Sequence, residues 1–251
     1  MNAFFSDLDN TLIYSHRRTI TGNRILVERL NGKEQSYMTE YAFSFFREAD
    51  WLTLIPVTTR SEEQYRRLLL PEVFQIQFAL LCNGGKLLVQ GHEDPEWTEQ
   101  TLELVREDLQ DLGMLGSRLG DLCNQEVRKS EKYYCYSISD TPERICGILR
   151  NEYPKGNIRI EHDHRKIYLF PQRLNKGEAL RRFMGKYKIN VTVGAGDSII
   201  DIPMLNEVDY PLASASLRES MISPAVRMLT GEIISDQICW ELETLHQKGI
   251  V

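Results

Sequence analysis

The first residues that could do chemistry are two aspartates, Asp7 and Asp9, which follow an apolar run at the start of the chain. Side chains two residues apart on an extended strand point to the same side. Carboxylates about 4 Å apart repel by roughly 1 kcal/mol in water and by roughly 4 kcal/mol at an effective dielectric constant of 20. A divalent cation is the usual group that offsets this repulsion. The alternative is a turn in which Asp9, Asn10 and Thr11 bond their own backbone, and this motif alone leaves both interpretations open.

The elements that must position these aspartates alternate between strand-like and helix-like patterns. This alternation predicts an α/β fold with a Rossmann-like, doubly wound parallel sheet. The predicted strands cover 3–8, 52–57, 78–82, 189–193 and 210–213, and the predicted helices cover 39–47 and 61–70 and begin again at 176. Between 24 and 38, Asn31-Gly32 predicts a hairpin with a type I′ turn.

The segment 86–168 has a different texture. Its predicted helices, at 96–112 and 141–153, lie among strand-like runs at 126–139 and 157–170. This pattern is typical of a separate α+β domain. We therefore predict a core domain formed by 1–85 and 169–251, with an inserted α+β cap domain at 86–168.

The residues that follow the other predicted strands are also polar. Thr58 and Arg60 follow the second strand, whereas Asp197, Ser198 and Asp201 follow a late one. Ligands of open parallel sheets bind outside the carboxyl ends of the strands. Together with the first two aspartates, four acids and a hydroxyl would converge on one edge, as a metal and a phosphate would require. The alternatives are that Thr58 simply ends its strand and that Ser198 and Asp201 form a helix cap.

Lys176 is informative because of its place in a predicted helix. Asn175 and Glu178 form a capping pair that places Lys176 in the first turn. A cation is disfavoured there by the helix dipole. We therefore expect an anion opposite this lysine.

Four separated motifs thus occur in order, and with them the chain resembles the haloacid dehalogenase (HAD) superfamily of aspartyl-phosphate phosphohydrolases. The motifs are Asp7-Leu8-Asp9-Asn10-Thr11, Thr58, Lys176 and Gly196-Asp197-Ser198-Ile199-Ile200-Asp201. The position of the insert resembles the C2-type cap (subclass IIB) of the Cof-like, sucrose-phosphatase and phosphomannomutase branch. In that branch the cap closes over the site and supplies substrate contacts.

The resemblance implies a catalytic role for four residues. Asp7 would be the nucleophile, and Asp9 the general acid and base. Thr58 would bond the transferring phosphoryl oxygens, and Lys176 would neutralise their charge and orient Asp7. Because an aspartate titrates near 3.9, acid catalysis at neutral pH would require a raised pKa at Asp9.

The same resemblance implies Mg²⁺ as the cofactor. Its ligands would be Asp7, the backbone carbonyl of Asp9, Asp197 and Asp201. Ile200 stands where the most similar subgroup usually has asparagine, which removes a polar group next to the metal ligands.

The substrate is expected to contact loop residues after the second and third strands, namely Thr59, Arg60, Asn83 and Gly84. Thr59 stands where many relatives have glycine. Candidate contacts from the cap are Arg128, Lys129, Lys132, Arg159, Arg165 and Lys166. His162 and His164 flank Asp163 on a predicted hairpin, where an exposed polar loop is favoured over a metal site.

Composition excludes several function classes. The net charge of -6 and the isoelectric point near 5.5 argue against a nucleic-acid partner. No run of about 18 apolar residues predicts a membrane span, and no secretory signal is recognisable. The five cysteines are scattered and odd in number, which predicts reduced thiols and a cytoplasmic location.

These observations predict a Mg²⁺-dependent phosphohydrolase acting on a small phosphorylated metabolite, such as a sugar or polyol phosphate, through an aspartyl phosphate. Two alternatives stay open. One is a phosphomutase of the phosphomannomutase type, and the other is a catalytically weak binding or regulatory protein with the HAD fold. The sequence leaves the choice between monomer and homodimer open.

Overall fold

The computed structural model describes residues 1–154, 156–220 and 226–251. The strands are β1 (Asn2–Ser6), β2 (Tyr14–Ser15), β3 (Arg24–Leu30), β4 (Lys33–Thr39), β5 (Thr53–Pro56), β6 (Phe78–Leu81), β7 (Lys86–Val89), β8 (His92–Glu93), β9 (Arg128–Ser130), β10 (Tyr134–Ile138), β11 (Ile158–Asp163), β12 (Lys166–Pro171), β13 (Val191–Gly196), β14 (Tyr210–Ser214) and β15 (Arg227–Leu229). The helices are α1 (Glu40–Glu48), α2 (Glu62–Tyr65), α3 (Leu70–Val73), α4 (Pro95–Val105), α5 (Leu109–Cys123), α6 (Pro142–Glu152), α7 (Lys176–Lys186), α8 (Ile202–Leu205) and α9 (Ser235–Gln247).

The central sheet is parallel and has the strand order β15-β14-β13-β1-β5. Successive side chains of β1 enter opposite layers of the core. Phe4 stacks on Phe46 of α1, whereas Phe5 meets Phe183 of α7 edge to face. Helices therefore cover both faces of the sheet, which confirms the predicted doubly wound α/β core.

A hairpin stands next to this core, as the sequence predicts. β3 and β4 are antiparallel, and the pairing of Leu30 with Lys33 leaves Asn31 and Gly32 as a two-residue loop. Both loop residues have positive φ, at 50° and 76°. A type I′ turn requires this conformation at both positions, so the local turn chemistry sets the register of the hairpin.

The helix predicted at 61–70 is much shorter in the structure. Ser61 and Gln64 form the expected capping box, but α2 lasts a single turn. Leu68 then forms an antiparallel bridge with Glu28 of β3. The prediction of a long helix was wrong because the backbone of Leu68 pairs with the edge strand β3 of the hairpin instead of continuing the helix.

The cap contains an antiparallel sheet with the strand order β11-β12-β10-β9, and α5 and α6 pack on one face. The prediction of a single helix at 96–112 was wrong, because α4 ends earlier and α5 continues to Cys123. The glycines inside α5 have a low helix propensity, so the sequence gives only a weak signal for this helix. They allow close packing, since a Cβ at Gly116 would lie 3.3 Å from Cys135 Sγ.

The strands and helix that follow Gly85 pack on the core. Leu87 and Trp97 belong to the same apolar cluster as Phe183, and Trp97 Nε1 donates to the carbonyl of Gly84 at 3.0 Å. The division of the chain at 85/86 and 168/169 stays a prediction. This packing favours a first boundary after α4.

The run Gly194-Ala195-Gly196-Asp197 would be expected to form a loop, because glycine is usually a loop signal, but its first three residues lie inside β13. Gly196 lets the backbone of β13 pack closely against Asp201. A Cβ at this position would lie 2.4 Å from the Cβ of Asp201. The elements β15 and α9 were also not predicted.

All five cysteines are described, and each is a free thiol. Four of them are buried. Within the described ranges, each helix is too short or too polar to cross a membrane.

Candidate active site

Three of the predicted acids meet at the carboxyl edge of the central sheet. Asp7 follows β1, and its N–H donates to the carbonyl of Ala195 at 2.9 Å, which extends the parallel pairing by one residue. Asp197 and Asp201 follow β13. Each of these three aspartates offers a carboxylate oxygen within 4.8 Å of the others. The parallel sheet therefore joins residues that lie about 190 positions apart in the chain.

Lys176 bridges two members of this acid cluster. Its Nζ donates to Asp7 Oδ1 and to Asp201 Oδ1, each at 2.6 Å. Asn175 caps α7 by accepting from the N–H of Glu178, so the first turn carries the lysine into the site. Burial alone would lower the pKa of Lys176, but the two carboxylates outweigh burial and raise it. The anion expected opposite this lysine is therefore a pair of aspartates.

Asp201 is held by its own loop. Its Oδ2 accepts from the N–H groups of Asp197 and Ser198, at 3.1 and 2.9 Å, and from Ser198 Oγ at 3.2 Å. Ser198 and Asp201 also form a capping box. The helix cap predicted as an alternative for Ser198 and Asp201 is thus present together with the acid cluster. One carboxylate oxygen of Asp201 caps the turn, and the other accepts from Lys176.

Thr11 connects the remaining acids. Its hydroxyl lies 3.0 Å from Asp197 Oδ1 and 3.4 Å from Asp7 Oδ2. Burial, then Asp7 and Asp201, raise the pKa of Asp197 to about 9. Burial also raises the pKa of Asp7 to about 7, against the opposing effect of Lys176. Three clustered carboxylates with one ammonium group retain excess negative charge, and their hard oxygen atoms fit the ligand preference of Mg²⁺.

Thr11 is itself fixed through its backbone. The buried hydroxyl of Tyr14 donates to the carbonyl of Thr11 at 2.9 Å. The same hydroxyl accepts from the N–H groups of Ile234 and Ser235, each at 3.0 Å. One phenol therefore connects the loop that follows β1 to the start of α9.

The Asp9 side chain lies apart from the other three acids and is about half exposed, at 48%. Arg60 binds it through two bonds, with Nε to Oδ2 and Nη2 to Oδ1, both at 2.8 Å. Burial would raise the pKa of Asp9, but Arg60 more than offsets burial and lowers it. The raised pKa expected for a general acid is therefore not observed in this conformation. The metal contact predicted through the carbonyl of Asp9 stays a prediction.

Glu28 is a functional candidate that the sequence did not reveal. It is 3% exposed, and its Oε2 accepts from Arg60 Nη2 at 2.9 Å. The register of β3 shifts on both sides of Glu28, between Leu26 and Arg29. Simple alternation along a strand gives no signal for such a bulge.

Thr58 and Thr59 follow β5 and lie next to these charges. Thr58 is fully buried, and its Oγ1 accepts from the N–H of Arg60 at 3.1 Å. The carbonyl of Thr59 accepts a bond from the hydroxyl of Tyr134 in the cap. The loop that carries the predicted phosphate contact is thus directly bonded to the cap.

Asn83 and Gly84 form a left-handed turn with φ of 60° and 91°. Asn83 is buried, and its Nδ2 donates to the carbonyl of Leu174 at 3.1 Å. Its Oδ1 has no hydrogen-bond partner among the described residues. A Cβ at Gly84 would lie 2.3 Å from the Cβ of Ala179, so the structure gives this glycine a packing role. The substrate contacts predicted for the two residues stay predictions.

The cap sheet turns its second face toward the acid cluster, and we call this surface the inner face. Cross-strand pairing places Glu161, Tyr168 and Tyr136 in one row. The rings of Tyr136 and Tyr168 lie 5.7 Å apart. Between this face and Asp9 lies a cleft of about 480 Å³. The cleft is lined by Asp9, Asn10, Ser15, Glu28, Gln35, Ser36, Thr59, Arg60, Gln64, Arg67, Tyr134, Tyr136, Ile138, Asp163, His164, Arg165, Lys166 and Tyr168.

Two of the six predicted cap contacts line this cleft, namely Arg165 and Lys166. Lys129 and Lys132 line a different cavity, of about 470 Å³, beside α5. Arg128 is exposed and lies outside the residues that line the cleft.

Arg159 is bound to Glu161 and to the carbonyl of Leu174. His164 is exposed in the hairpin turn, as expected. His162 is half-buried within β11, so the prediction of an exposed loop was wrong for it.

No protein-family model matches this sequence, and no curated protein matches it. Solved structures do match. A sucrose-phosphatase from Synechocystis sp. PCC6803, in complex with sucrose and phosphate, has a TM-score of 0.62 at 15% identity, over 98% of this chain and 97% of that chain. A haloacid dehalogenase-like hydrolase from B. subtilis has a TM-score of 0.60 at 16% identity, over 98% and 100%. A sugar phosphatase of HAD subclass IIB has a TM-score of 0.58 at 14% identity, over 100% of both chains.

Proposed function

We propose that this chain, which has the fold of the Cof-like and sucrose-phosphatase type of HAD phosphatases, is a Mg²⁺-dependent phosphohydrolase of small phosphorylated metabolites. One observation carries the proposal. Asp7, Asp197 and Asp201 share one metal-sized cluster, and Lys176 bonds two of them at 2.6 Å. This arrangement combines a positioned nucleophile with a site for a divalent cation and with a fixed positive charge.

In the first step, a carboxylate oxygen of Asp7 attacks phosphorus. A bond forms from phosphorus to Asp7, the bond from phosphorus to the substrate oxygen breaks, and Asp9 gives that oxygen a proton. This proton transfer requires the pKa of Asp9 to rise above the value that Arg60 sets in the described conformation. In the second step, water attacks phosphorus and loses a proton to Asp9, and the bond to Asp7 breaks. Lys176 and Thr58 stabilise the charge on the transferring oxygens.

Mg²⁺ would be held by Asp7, Asp197 and Asp201 together with the carbonyl of Asp9, and would supply charge neutralisation between the carboxylates and the phosphate. The raised pKa values of Asp7 and Asp197 support this assignment, because burial and then the neighbouring carboxylates disfavour ionised acids that a bound cation would stabilise.

The inner face of the cap supports a sugar or polyol phosphate as substrate. Tyr136 and Tyr168 offer aromatic surface, and Glu161 and Asp163 on the same face can accept bonds from hydroxyl groups. The structurally similar proteins include a sucrose-phosphatase and a sugar phosphatase. The free thiols support the cytoplasmic location predicted from the sequence.

The test is phosphate release from a panel of sugar and polyol phosphates and from p-nitrophenyl phosphate, with and without Mg²⁺. We expect Mg²⁺-dependent release that falls by at least about a thousandfold in Asp7→Asn. Asp50→Asn, at an exposed aspartate, is the matched control. Undiminished release in Asp7→Asn would contradict the proposal. Conversion of one phosphosugar into another without free phosphate would identify a phosphomutase, and no turnover on any substrate would favour a binding protein.

A further inference from the structure

Glu28 is a buried carboxylate with an unusually full set of donors. Its side chain is 4% exposed. Ser36 Oγ donates to Oε2 at 2.6 Å, Arg60 Nη2 donates to Oε2 at 2.9 Å, and Arg67 Nε donates to Oε1 at 3.2 Å. These bonds lower the pKa of Glu28 against the effect of burial. The hairpin thus presents a rigid, ionised acid to the catalytic loops.

Arg60 is the link between Glu28 and the reaction centre. Its side chain is 10% exposed, and it uses Nε and Nη2 on Asp9, Nη2 on Glu28 and Nη1 on the carbonyl of Gln64. A planar guanidinium with bonds on every edge has a fixed orientation. Glu28 supplies the buried anchor of this orientation, whereas Asp9 is the partner whose side chain is half exposed.

Asp9 depends on this arrangement more than the other acids do. Among the described residues, Arg60 is the donor that its carboxylate meets, and its side chain is half exposed. A solvent-exposed carboxylate without that donor would sample several rotamers. Proton transfer to a leaving oxygen requires hydrogen-bond reach, so a loss of orientation lowers the rate.

We infer that Glu28 is a positioning residue: it fixes Arg60, and Arg60 in turn aims Asp9 at the leaving group. This inference rests on the proposed function. The competing explanation is structural, since Glu28 also neutralises Arg67 and Arg60 inside the protein. The two explanations differ in which reactions suffer when the charge of Glu28 is removed.

The test uses two aryl esters with the same ring, phenyl phosphate and p-nitrophenyl phosphate. The value of kcat/KM reports cleavage of the ester bond, and phenolate needs a proton from Asp9 whereas nitrophenolate leaves without one. We expect Glu28→Gln to lower kcat/KM by about tenfold or more for phenyl phosphate and by less than about threefold for p-nitrophenyl phosphate. A structural role would lower both values equally.

Glu63→Gln is the matched control, because Glu63 also pairs with Arg67, at 3.8 Å, but is 89% exposed and does not bond Arg60. It should leave both rates as they are. Ser36→Ala is a second variant, which retains the charges of Glu28 and Arg60 but removes one donor to Glu28. It should also lower kcat/KM more for phenyl phosphate than for p-nitrophenyl phosphate, but by a smaller factor than Glu28→Gln. Equal losses on both esters, or no loss on either, would overturn the inference. If the unaltered enzyme hydrolyses neither ester, the proposed function itself has failed.

Discussion

The acidic edge of the central sheet and the inner face of the cap differ in how completely their polar groups are bonded. At the sheet edge, both oxygens of Asp201 and the ammonium group of Lys176 have partners at 2.6 to 3.2 Å. On the inner face, Glu161 Oε2 and Arg159 Nε have no hydrogen-bond partner among the described residues. Buried polar groups are normally paired, so the cap retains bonding capacity that a ligand can use. The polar groups of the acid cluster are thus preorganised, whereas the inner face retains polar atoms without partners.

The strongest challenge to this contrast is Lys176→Met. If the bonded cluster is the preorganised part, removal of the Lys176 ammonium group should lower kcat by about a hundredfold to a thousandfold on every substrate. Lys186→Met, at the surface end of the same helix, is the control. Rates are compared after melting curves establish that both variants are folded. A loss below tenfold would mean that the core does not depend on this charge.

A smaller effect concerns metal and pH. The pKa of Asp7 is raised to about 7 and that of Asp197 to about 9, from 3.8 in both cases. The folded, metal-free protein therefore loses stability as the pH rises from about 4 to about 9, because these acids ionise at a cost. Mg²⁺ at ten times its dissociation constant stabilises by about 1.4 kcal/mol. We expect a gain in Tm of about 3 to 6 °C at pH 8 and a clearly smaller gain at pH 5.5.

The measurement is a melting curve with Mg²⁺ compared with Na⁺ at the same ionic strength. Asp197→Asn should remove most of the gain at pH 8. A gain that is equal at both pH values would place the ion elsewhere on the surface.

The smallest expected effect tests the cap. Tyr136→Ala should raise KM for a sugar phosphate by about fivefold, or about 1 kcal/mol, because it removes aromatic surface from the cleft. The value of kcat should stay within about twofold, since the core is unchanged. Tyr41→Ala, at an exposed tyrosine on α1, is the control. An equal fall in kcat with an unchanged KM would mean that the cap takes part in the chemistry.

The sequence predicted the parts of this molecule that are encoded locally. The Asn31-Gly32 turn and the cap at Asn175 depend on a few neighbouring residues, and both form as expected. The four motifs could be placed on one edge because parallel strands align their carboxyl ends.

The parts that the sequence did not predict depend on distant partners. The substrate contact predicted for Arg60 stays a prediction, but its bonds to Asp9 and Glu28, which lie 51 and 32 positions away, were not predicted. The direction of a long side chain is decided by such tertiary partners and not by local propensity. For the same reason, the bridge between Leu68 and Glu28 shortened a helix that the capping box had begun correctly.

The phenol of Tyr14 has a consequence for motion. Because it holds the carbonyl of Thr11 and two amides at the start of α9, these segments should open as one cooperative unit. In hydrogen exchange, the amides of Ile234 and Ser235 would then report on the integrity of the loop that carries Asp7 and Thr11. Local unfolding of the loop at Thr11, near the N-terminus, would then increase exchange at the start of α9, near the C-terminus.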